Sequence, residues 1–497
     1  MRRSGVLMPI FSLSGKYGTG DFNGGYKFAD FLSESKQKIW QILPLVQTGY
    51  GNSPYSSVCS YSFNPYFISV ELLKKDGLLT SSELKFAEAK GEYVDYGKLY
   101  EVRYHLLNKA FSRFDKNDKK FKSFLRKKEF RDYALFMAIR EESGYKPFYE
   151  WENKYKYRNE NALKLFENSH KEEIIFWQFV QFLAKNQWTD LKKYANGKGV
   201  EILGDMPLYV AWDSVDVWTN PSLFKLNADL YPEKVAGVPP DYFSATGQLW
   251  GNPVFDYDYQ KKDGYAWWAD RVKKALDIYD YVRIDHFRGL DRFYEVPFGA
   301  KDATVGEWVK VDSDGLFAAI KEKADVRRII AEDLGIIDDG VRELLKKTGL
   351  PGMKILSFAF NGEKDNLYLP ENIEENYVCY TGTHDNDTLK GLIDKMSDWD
   401  KNNLYSGVEN SLALLGIKKK VTDENSLISA IIELGFKCKA KLFIIPMQDI
   451  LFCGGEYRIN EPGTVKLSNW AVRFNGNYPR SAAKKLAALT VKYGRTD

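Results

Sequence analysis

Eight short runs of apolar, often β-branched residues recur along the chain, and segments of helical period separate them. They span residues 6–11, 39–43, 200–206, 281–285, 328–332, 353–358, 377–381 and 442–447. Within each run the hydrophobicity is continuous rather than alternating. That is the habit of strands buried on both faces, as in parallel sheets covered by helices. Eight such strands with helices between them predict an α/β fold, a (β/α)8 barrel. The intervening helices have readable limits. Asp338 stands as an N-cap and Gly349 just past the end of a segment enclosing Val341, Leu344 and Leu345. Trp268, Val272, Ala275 and Tyr279 form an apolar stripe before the fourth run, and Leu486, Leu489 and Tyr493 form one after the last.

Two intervals are too long for barrel connections of a few residues. Residues 69–198 read as a mainly helical insertion, with Ile174, Trp177, Val180, Gln181 and Ala184 at helical spacing near its end. Residues 209–264 are rich in Pro, Gly and aromatics, which suits a loop-rich insertion over a groove. The expectation is one catalytic barrel over 1–497 carrying both insertions. The last run leaves room only for a closing loop and a helix, so no C-terminal β-sandwich is expected.

Charge and cysteines remove several functional classes. Seventy-one basic against sixty-eight acidic residues leave a net charge of +3, too balanced for nucleic acid or an anionic membrane to be the main partner. The basic stretch 116–128 carries interleaved Phe114, Phe121, Phe124 and Leu125 and reads as a solvated helix. Cys59, Cys379, Cys438 and Cys453 lie far apart with no C-x-x-C pair, which fits reduced thiols in a cytoplasmic protein. Pro9 interrupts the apolar stretch after Arg2 and Arg3, against a signal peptide, and no run approaches the roughly 18 residues of a membrane span.

Barrel enzymes place catalytic groups at the carboxyl ends of their strands. Here those ends carry carboxylates: Asp205 in Gly-Asp-Met-Pro, Asp285 in Val-Arg-Ile-Asp-His, Glu332 and Asp333 in Ala-Glu-Asp-Leu-Gly, and Asp385 in Gly-Thr-His-Asp-Asn-Asp. Residues two apart on a strand share a face, so Arg283 and Asp285 both point inward. A cation beside a carboxylate favours its charged form, which a nucleophile needs. Glu332 has carboxylates rather than an arginine in its own motif, an environment that holds a proton and suits a general acid. Two carboxyls in split environments on adjacent strands describe glycoside chemistry. Any one strand-end acid could merely cap a helix or pair with a surface lysine; three together are harder to explain that way. Glu332 and Asp333 could exchange roles, because neighbours on a strand face opposite ways.

His286 and His384 each adjoin one of these acids. Metal ligation is the alternative for them, but there is no H-x-H pair or third nearby His, so hydrogen-bond donors to a sugar or core histidines fit better. No metal site is expected. His105 and His170 fall in the helical insertion and read as structural. Among the aromatics, which make up 15% of the chain, Tyr55, Tyr242, Phe243 and Trp250 lie in Gly/Pro-rich segments, where a ring face is free to stack on a sugar.

Taken in order, the motifs resemble the 4-alpha-glucanotransferases of the amylomaltase or disproportionating-enzyme kind, within the α-amylase-like clan. They run from Trp-Gln-Ile-Leu-Pro-Leu at Trp40 and Gly-Asn-Ser-Pro-Tyr at Gly51 through Pro-Pro-Asp-Tyr-Phe-Ser-Ala-Thr-Gly-Gln-Leu-Trp-Gly-Asn-Pro at Pro239 and Gly-Leu-Pro-Gly-Met-Lys at Gly349. Pro-Met-Gln-Asp at Pro446 and Asn-Glu-Pro-Gly at Asn460 complete the series. The resemblance implies a retaining double displacement in which Asp285 attacks the anomeric carbon, Glu332 protonates the leaving oxygen and Asp385 stabilises the distorted sugar. It decides for Glu332 over Asp333. It also implies substrate contacts from Arg283, His286, His384, Asp241, Gln248, Trp250, Tyr55, Ser57, Phe358 and Asn460, no cofactor, and malto-oligosaccharides and α-1,4-glucans as substrates. Ser357 and the Cys453-Gly454-Gly455 stretch are less typical of the family. The competing expectations are an α-amylase-type hydrolase using the same acids, a non-catalytic glucan-binding protein, and a metal-dependent barrel hydrolase. The sequence is silent on oligomeric state, on donor and acceptor length and on any second glucan site.

Overall fold

The eight apolar runs become the staves of one parallel barrel. The structure, a computed structural model, describes residues 2–89, 91–240, 244–335 and 337–497. In chain order its strands are β1 (Arg3–Leu7), β2 (Ile39–Gln41), β3 (Glu201–Met206), β4 (Lys234–Val238), β5 (Gln248–Pro253), β6 (Tyr281–Ile284), β7 (Arg292–Pro297), β8 (Glu307–Lys310), β9 (Ile329–Ala331), β10 (Gly352–Ile355), β11 (Tyr377–Tyr380) and β12 (Leu442–Pro446). The barrel sheet has the order β10-β11-β12-β1-β2-β3-β6-β9, and every pairing within it is parallel. The remaining seam, between β9 and β10, is bridged where the Ala331 N–H donates to the Pro351 carbonyl (2.9 Å) and the Met353 N–H to the Asp333 carboxylate (2.6 Å).

The first strand starts earlier than its apolar run and stops sooner. Arg3 and Ser4 pair with Leu442 and Phe443, while Pro9 ends the extended backbone and a 3-10 turn follows at Ile10–Ser12. The Arg3 side chain escapes burial by pairing with Glu201 and lying over the Tyr281 ring at the barrel's lower rim. Gly5 meets a different constraint: a Cβ there would sit 2.3 Å from the Ile39 carbonyl oxygen. Only glycine lets these strands approach so closely. Beside it Trp40 is fully buried, its indole N–H donating to the Met8 carbonyl at 2.9 Å, so a large apolar body is satisfied at its one polar atom.

Within residues 69–198 the chain is mainly helical and ends in the long helix Lys171–Gly197. That helix grips the barrel loop after β2 through two glutamines that act as substitute backbone. The Gln181 amide bonds both the N–H and the carbonyl of Phe63 (2.7 and 2.9 Å), and Gln187 does the same to Ser69 (2.7 and 3.2 Å). Backbone groups that no sheet can serve are thereby paired while buried. Residues 209–264 carry more structure than their composition suggests. Strands β4 and β5 join β7 and β8 in an antiparallel sheet of order β5-β4-β7-β8 at the carboxyl end of the barrel. The sequence reading did not include this sheet. No helix among the described residues is long and apolar enough to cross a membrane.

Candidate active site

Strand register decides which acids share the barrel mouth. Asp205 on β3 stands directly opposite Arg283 on β6, and Ile284 on β6 opposite Ala331 on β9. Paired residues of neighbouring strands face the same way. Arg283 therefore points inward with Asp205, Asp285 follows on the same face, and Glu332, one past Ala331, stands beside Asp285. Asp333 turns the other way, into the β9–β10 seam, where it accepts the Met353 N–H. Of the two, Glu332 is therefore the acid that faces inward.

Arg283 is the hub. Its Nε and one terminal nitrogen donate to the two oxygens of Asp205 (3.0 and 2.7 Å), and the same terminal nitrogen donates to Asp285 (2.8 Å) and the Tyr55 hydroxyl (3.2 Å). Arg283 and Asp205 are buried, with side chains 3% and 0% exposed, whereas Asp285 is 30% exposed toward the opening. The fork is rigid and always charged, so it fixes the position of the Asp285 carboxylate as well as attracting it. The Tyr55 hydroxyl also donates to Asp205, and its ring lies parallel to His384 with centroids 5.2 Å apart.

Glu332 accepts the backbone N–H of His286 (2.7 Å) and of Leu334 (3.0 Å). The first of these bonds needs the left-handed turn at His286, where φ is 48°, an uncommon conformation for a residue with a side chain and one that clusters at functional sites. Withdrawal from water raises both neighbouring carboxyls, Asp285 and Glu332 each to about 7, against the attraction of Arg283. Two such acids hold a proton between them near neutrality. The 2.8 Å contact with Arg283 favours the charged form of Asp285, and the same guanidinium acts on Glu332 in the same sense. Burial, then Arg288, pushes the His286 imidazole down to about 3, so it stays neutral, and its buried Nε2 has no hydrogen-bond partner among the described residues.

Asp385 lies in the loop after β11. Thr381 Oγ1 donates to the buried Asp449 (2.6 Å), the Leu389 N–H donates to the same carboxylate (2.8 Å), and Asn386 accepts from both the N–H and the hydroxyl of Thr383 (2.8 and 2.9 Å). These bonds brace the residues on either side of Asp385. Although withdrawal from water pushes the Asp385 carboxyl up, His384 (Nε2 at 3.3 Å), the Asn460 amide (2.6 Å) and Arg283 bring it down to about 2. The same site thus lowers one carboxyl, Asp385, and raises two others, Asp285 and Glu332.

The remaining expected residues divide. Gln248 and Trp250 sit on one face of β5, the indole N–H donating to the Gln248 side chain (3.2 Å) and the ring standing edge-on to His286 at 4.8 Å. Trp250 is 37% exposed. Phe358 ends the 3-10 turn Leu356–Phe358, 46% exposed and edge-on to Tyr368. The Ser57 hydroxyl bonds the carbonyls of Gln47 and Cys59 (both 2.8 Å), which commits it to shaping the loop that carries Tyr55. Asn460 spends its amide on Asp385. Asp241, with Tyr242 and Phe243, lies outside the described residues. Sequence reasoning did not single out Arg458, whose guanidinium donates to the carbonyls of Asn460 and Asp385 (both 2.7 Å), or Trp470, whose ring lies 5.7 Å from Tyr55 and 5.8 Å from His384. Arg458 is two residues from Asn460, and that nearness in sequence was its one signal. Among the described residues no group of three or more His, Cys, Asp or Glu is arranged to hold a metal ion.

The chain is similar to known proteins along nearly its whole length. A family model described as 4-alpha-glucanotransferase matches residues 8–478. The 4-alpha-glucanotransferase of Clostridium butyricum is 42% identical over 99% of this chain and 100% of its own, and that of Aquifex aeolicus (strain VF5) is 41% identical over 100% of both. An amylomaltase from Streptococcus agalactiae, solved in complex with acarbose, superposes with a TM-score of 0.93 at 37% identity, covering 100% of both chains.

Proposed function

The chain belongs to the 4-alpha-glucanotransferase family, and from that premise we propose how its barrel mouth performs the transfer. The enzyme acts on α-1,4-glucans. In our reading Asp285 is the nucleophile, Glu332 the acid and base, and Asp385 the carboxylate that stabilises the positive charge growing on the ring. The observation that carries this is the Arg283 clamp: a guanidinium nitrogen donates to the Asp285 carboxylate at 2.8 Å, beside the inward-facing Glu332.

In the first half-reaction an Asp285 oxygen bonds to the anomeric carbon while the glycosidic C–O bond breaks, and Glu332 gives its proton to the departing oxygen. In the second, the 4-hydroxyl of another glucan loses its proton to Glu332, its oxygen attacks the same carbon, and Asp285 leaves. Two inversions retain the α configuration. One α-1,4 bond is lost and one made, so the net free-energy change is small and no cofactor is called for. Malto-oligosaccharides serve as donor and acceptor. Neutral His286 and the Trp250 ring contact the sugar, with Gln248, Tyr55, His384, Phe358, Asn460 and Asp241 as further contacts, and Ser57 acts through the Tyr55 loop. Residues 209–264 cover the groove, which limits access of water to the intermediate, and residues 69–198 brace it. The four free thiols suit a reducing, cytoplasmic setting.

Incubation with maltotriose alone tests this. The intact enzyme gives glucose and a ladder of products longer than maltotriose, whereas Asp285→Asn, with an unchanged melting midpoint, gives neither. A ladder from Asp285→Asn removes it from the nucleophile's role; products no longer than maltotriose from the intact enzyme mean that water, not sugar, takes the intermediate.

A further inference from the structure

Two loops from different strands meet at Asp385, and one side chain that touches no part of the cleft's reacting pair joins them. The first loop follows β11 and carries His384 and Asp385. The second follows β12 and carries Arg458 and Asn460. The Asn460 N–H donates to the His384 carbonyl at 3.1 Å, and the Asn460 amide to an Asp385 carboxylate oxygen at 2.6 Å. Arg458 then ties the backbones together, Nε to the Asn460 carbonyl and a terminal nitrogen to the Asp385 carbonyl, each at 2.7 Å. Among the described residues Arg458 forms no ion pair within 4.0 Å, so these two carbonyls are its principal partners.

We propose that Arg458 is a positioning residue for Asp385, fixing the carboxylate at the height where it meets the charge that develops on the sugar. This rests on the reading that Asp385 acts in the transition state. The Asp385 side chain is 45% exposed, so the walls of the cleft leave it room to turn, and its one amide partner belongs to another loop. If the two backbones drift apart, the amide leaves with Asn460. A planar fork that bonds both backbones at once forbids that drift, whereas a lysine ammonium, a point donor, cannot span both carbonyls with the same geometry. A carboxylate misplaced by about 1 Å loses on the order of 100-fold in rate, because only the transition state needs it there. Ground-state binding depends on it less.

The second loop has other anchors, so removing Arg458 does not cast it adrift. Gln448 donates to the Tyr457 carbonyl (3.2 Å), and the Trp470 N–H donates to the Ile459 carbonyl (2.7 Å). At Gly391 the packing is close enough that a Cβ would lie 2.6 Å from the Gly455 Cα.

The test is a double-mutant cycle in the full-length enzyme with Arg458→Ala, Arg458→Lys, Asp385→Asn and Asp385→Asn/Arg458→Ala. The donor is a maltosyl fluoride, whose leaving group needs no proton, so that slow variants still register; maltose is the acceptor, and melting midpoints are measured alongside. Arg458→Ala is expected to lower kcat by about 10- to 100-fold with KM within about twofold, Arg458→Lys to recover part of the loss, and the double variant to be no slower than Asp385→Asn alone. Full activity in Arg458→Ala overturns the proposal, and so does a double variant slower by the product of the two single effects, which means independent action. Should Arg458→Ala melt early, Arg458→Lys carries the same cycle. Full activity in Asp385→Asn is a different failure: it removes Asp385 from the reaction and the proposal with it.

Discussion

Asp205→Asn isolates what the buried hub does for the nucleophile. The substitution keeps the shape and one acceptor oxygen but removes a negative charge from beneath Arg283. Stripping a buried ion of its only partner costs about 3–5 kcal/mol. Here Arg283 keeps Asp285 at 2.8 Å and one bond to the new amide, so a loss of about 2 kcal/mol is the better figure. In a chain of this length that lowers the melting midpoint by only about 2 °C. The chemical effect is larger. The Asp205 charge is one of the influences that raise Asp285, and two carboxylates sharing one guanidinium interact by about 1–2 pK units at an effective dielectric near 20. Without that charge, the Asp285 carboxyl falls from about 7 and Arg283 belongs to it alone. Asp285 then stays ionised to lower pH, so the acid limb of kcat/KM moves down by about 1–2 units. The plateau rate falls as well, because a more tightly held carboxylate is a poorer nucleophile. The assay is transfer from maltotriose across pH 4 to 9 with both proteins checked for folding at each end. An acid limb that stays in place, or moves up, refutes the chain of reasoning from hub to nucleophile.

Two further perturbations probe the scaffold. Burial raises the Asp449 carboxyl to about 6 despite its bonds from Thr381 and Leu389; a carboxyl raised on folding favours the folded state below its unfolded value and withdraws roughly 3 kcal/mol as the pH climbs from about 4 to about 6. Asp449→Asn is therefore expected to flatten the melting midpoint between those pH values and to leave stability at pH 7 equal or higher, and an unchanged pH dependence contradicts it. Gly5→Ala places a methyl 2.3 Å from the Ile39 carbonyl and 2.8 Å from the Ile444 Cδ1, an overpacking that costs about 1–3 kcal/mol; a midpoint equal to the parent's shows that β1 and β2 can part without penalty.

The barrel was legible because its strands are buried on both faces, which forces unbroken apolar runs, and because glycines, prolines and polar caps separate them. Asp338 does cap its helix, accepting the Val341 N–H, and Gly349 does take the left-handed conformation at the other end. What failed to show follows from the same physics. Strands β7 and β8 contain Arg292, Glu295, Glu307 and Lys310, and the small sheet has a solvated side, so no continuous run announces it. Glu295 is buried there with Lys225 at 2.6 Å and Lys234 at 3.9 Å, the first a pairing between residues seventy apart in sequence. Similarly, Asp285 and Arg283 could be read as a pair from their spacing, whereas Glu332 against Asp333 depended on the register of β6 with β9. The Arg458 contacts were the hardest to foresee. A side chain that binds carbonyls depends on backbone path, which residue types at a distance do not encode.

The pairing of β1 with β12 also governs when the enzyme can start working. A ribosome that has just passed Asp385 has delivered all three acids to the emerging peptide, yet the barrel still lacks the stave that flanks β1 on one side and β11 on the other. The residues that brace the Asp385 loop, Asp449 and Asn460 among them, come later still. Catalysis therefore waits until β12 and the loop that carries Asn460 have been made.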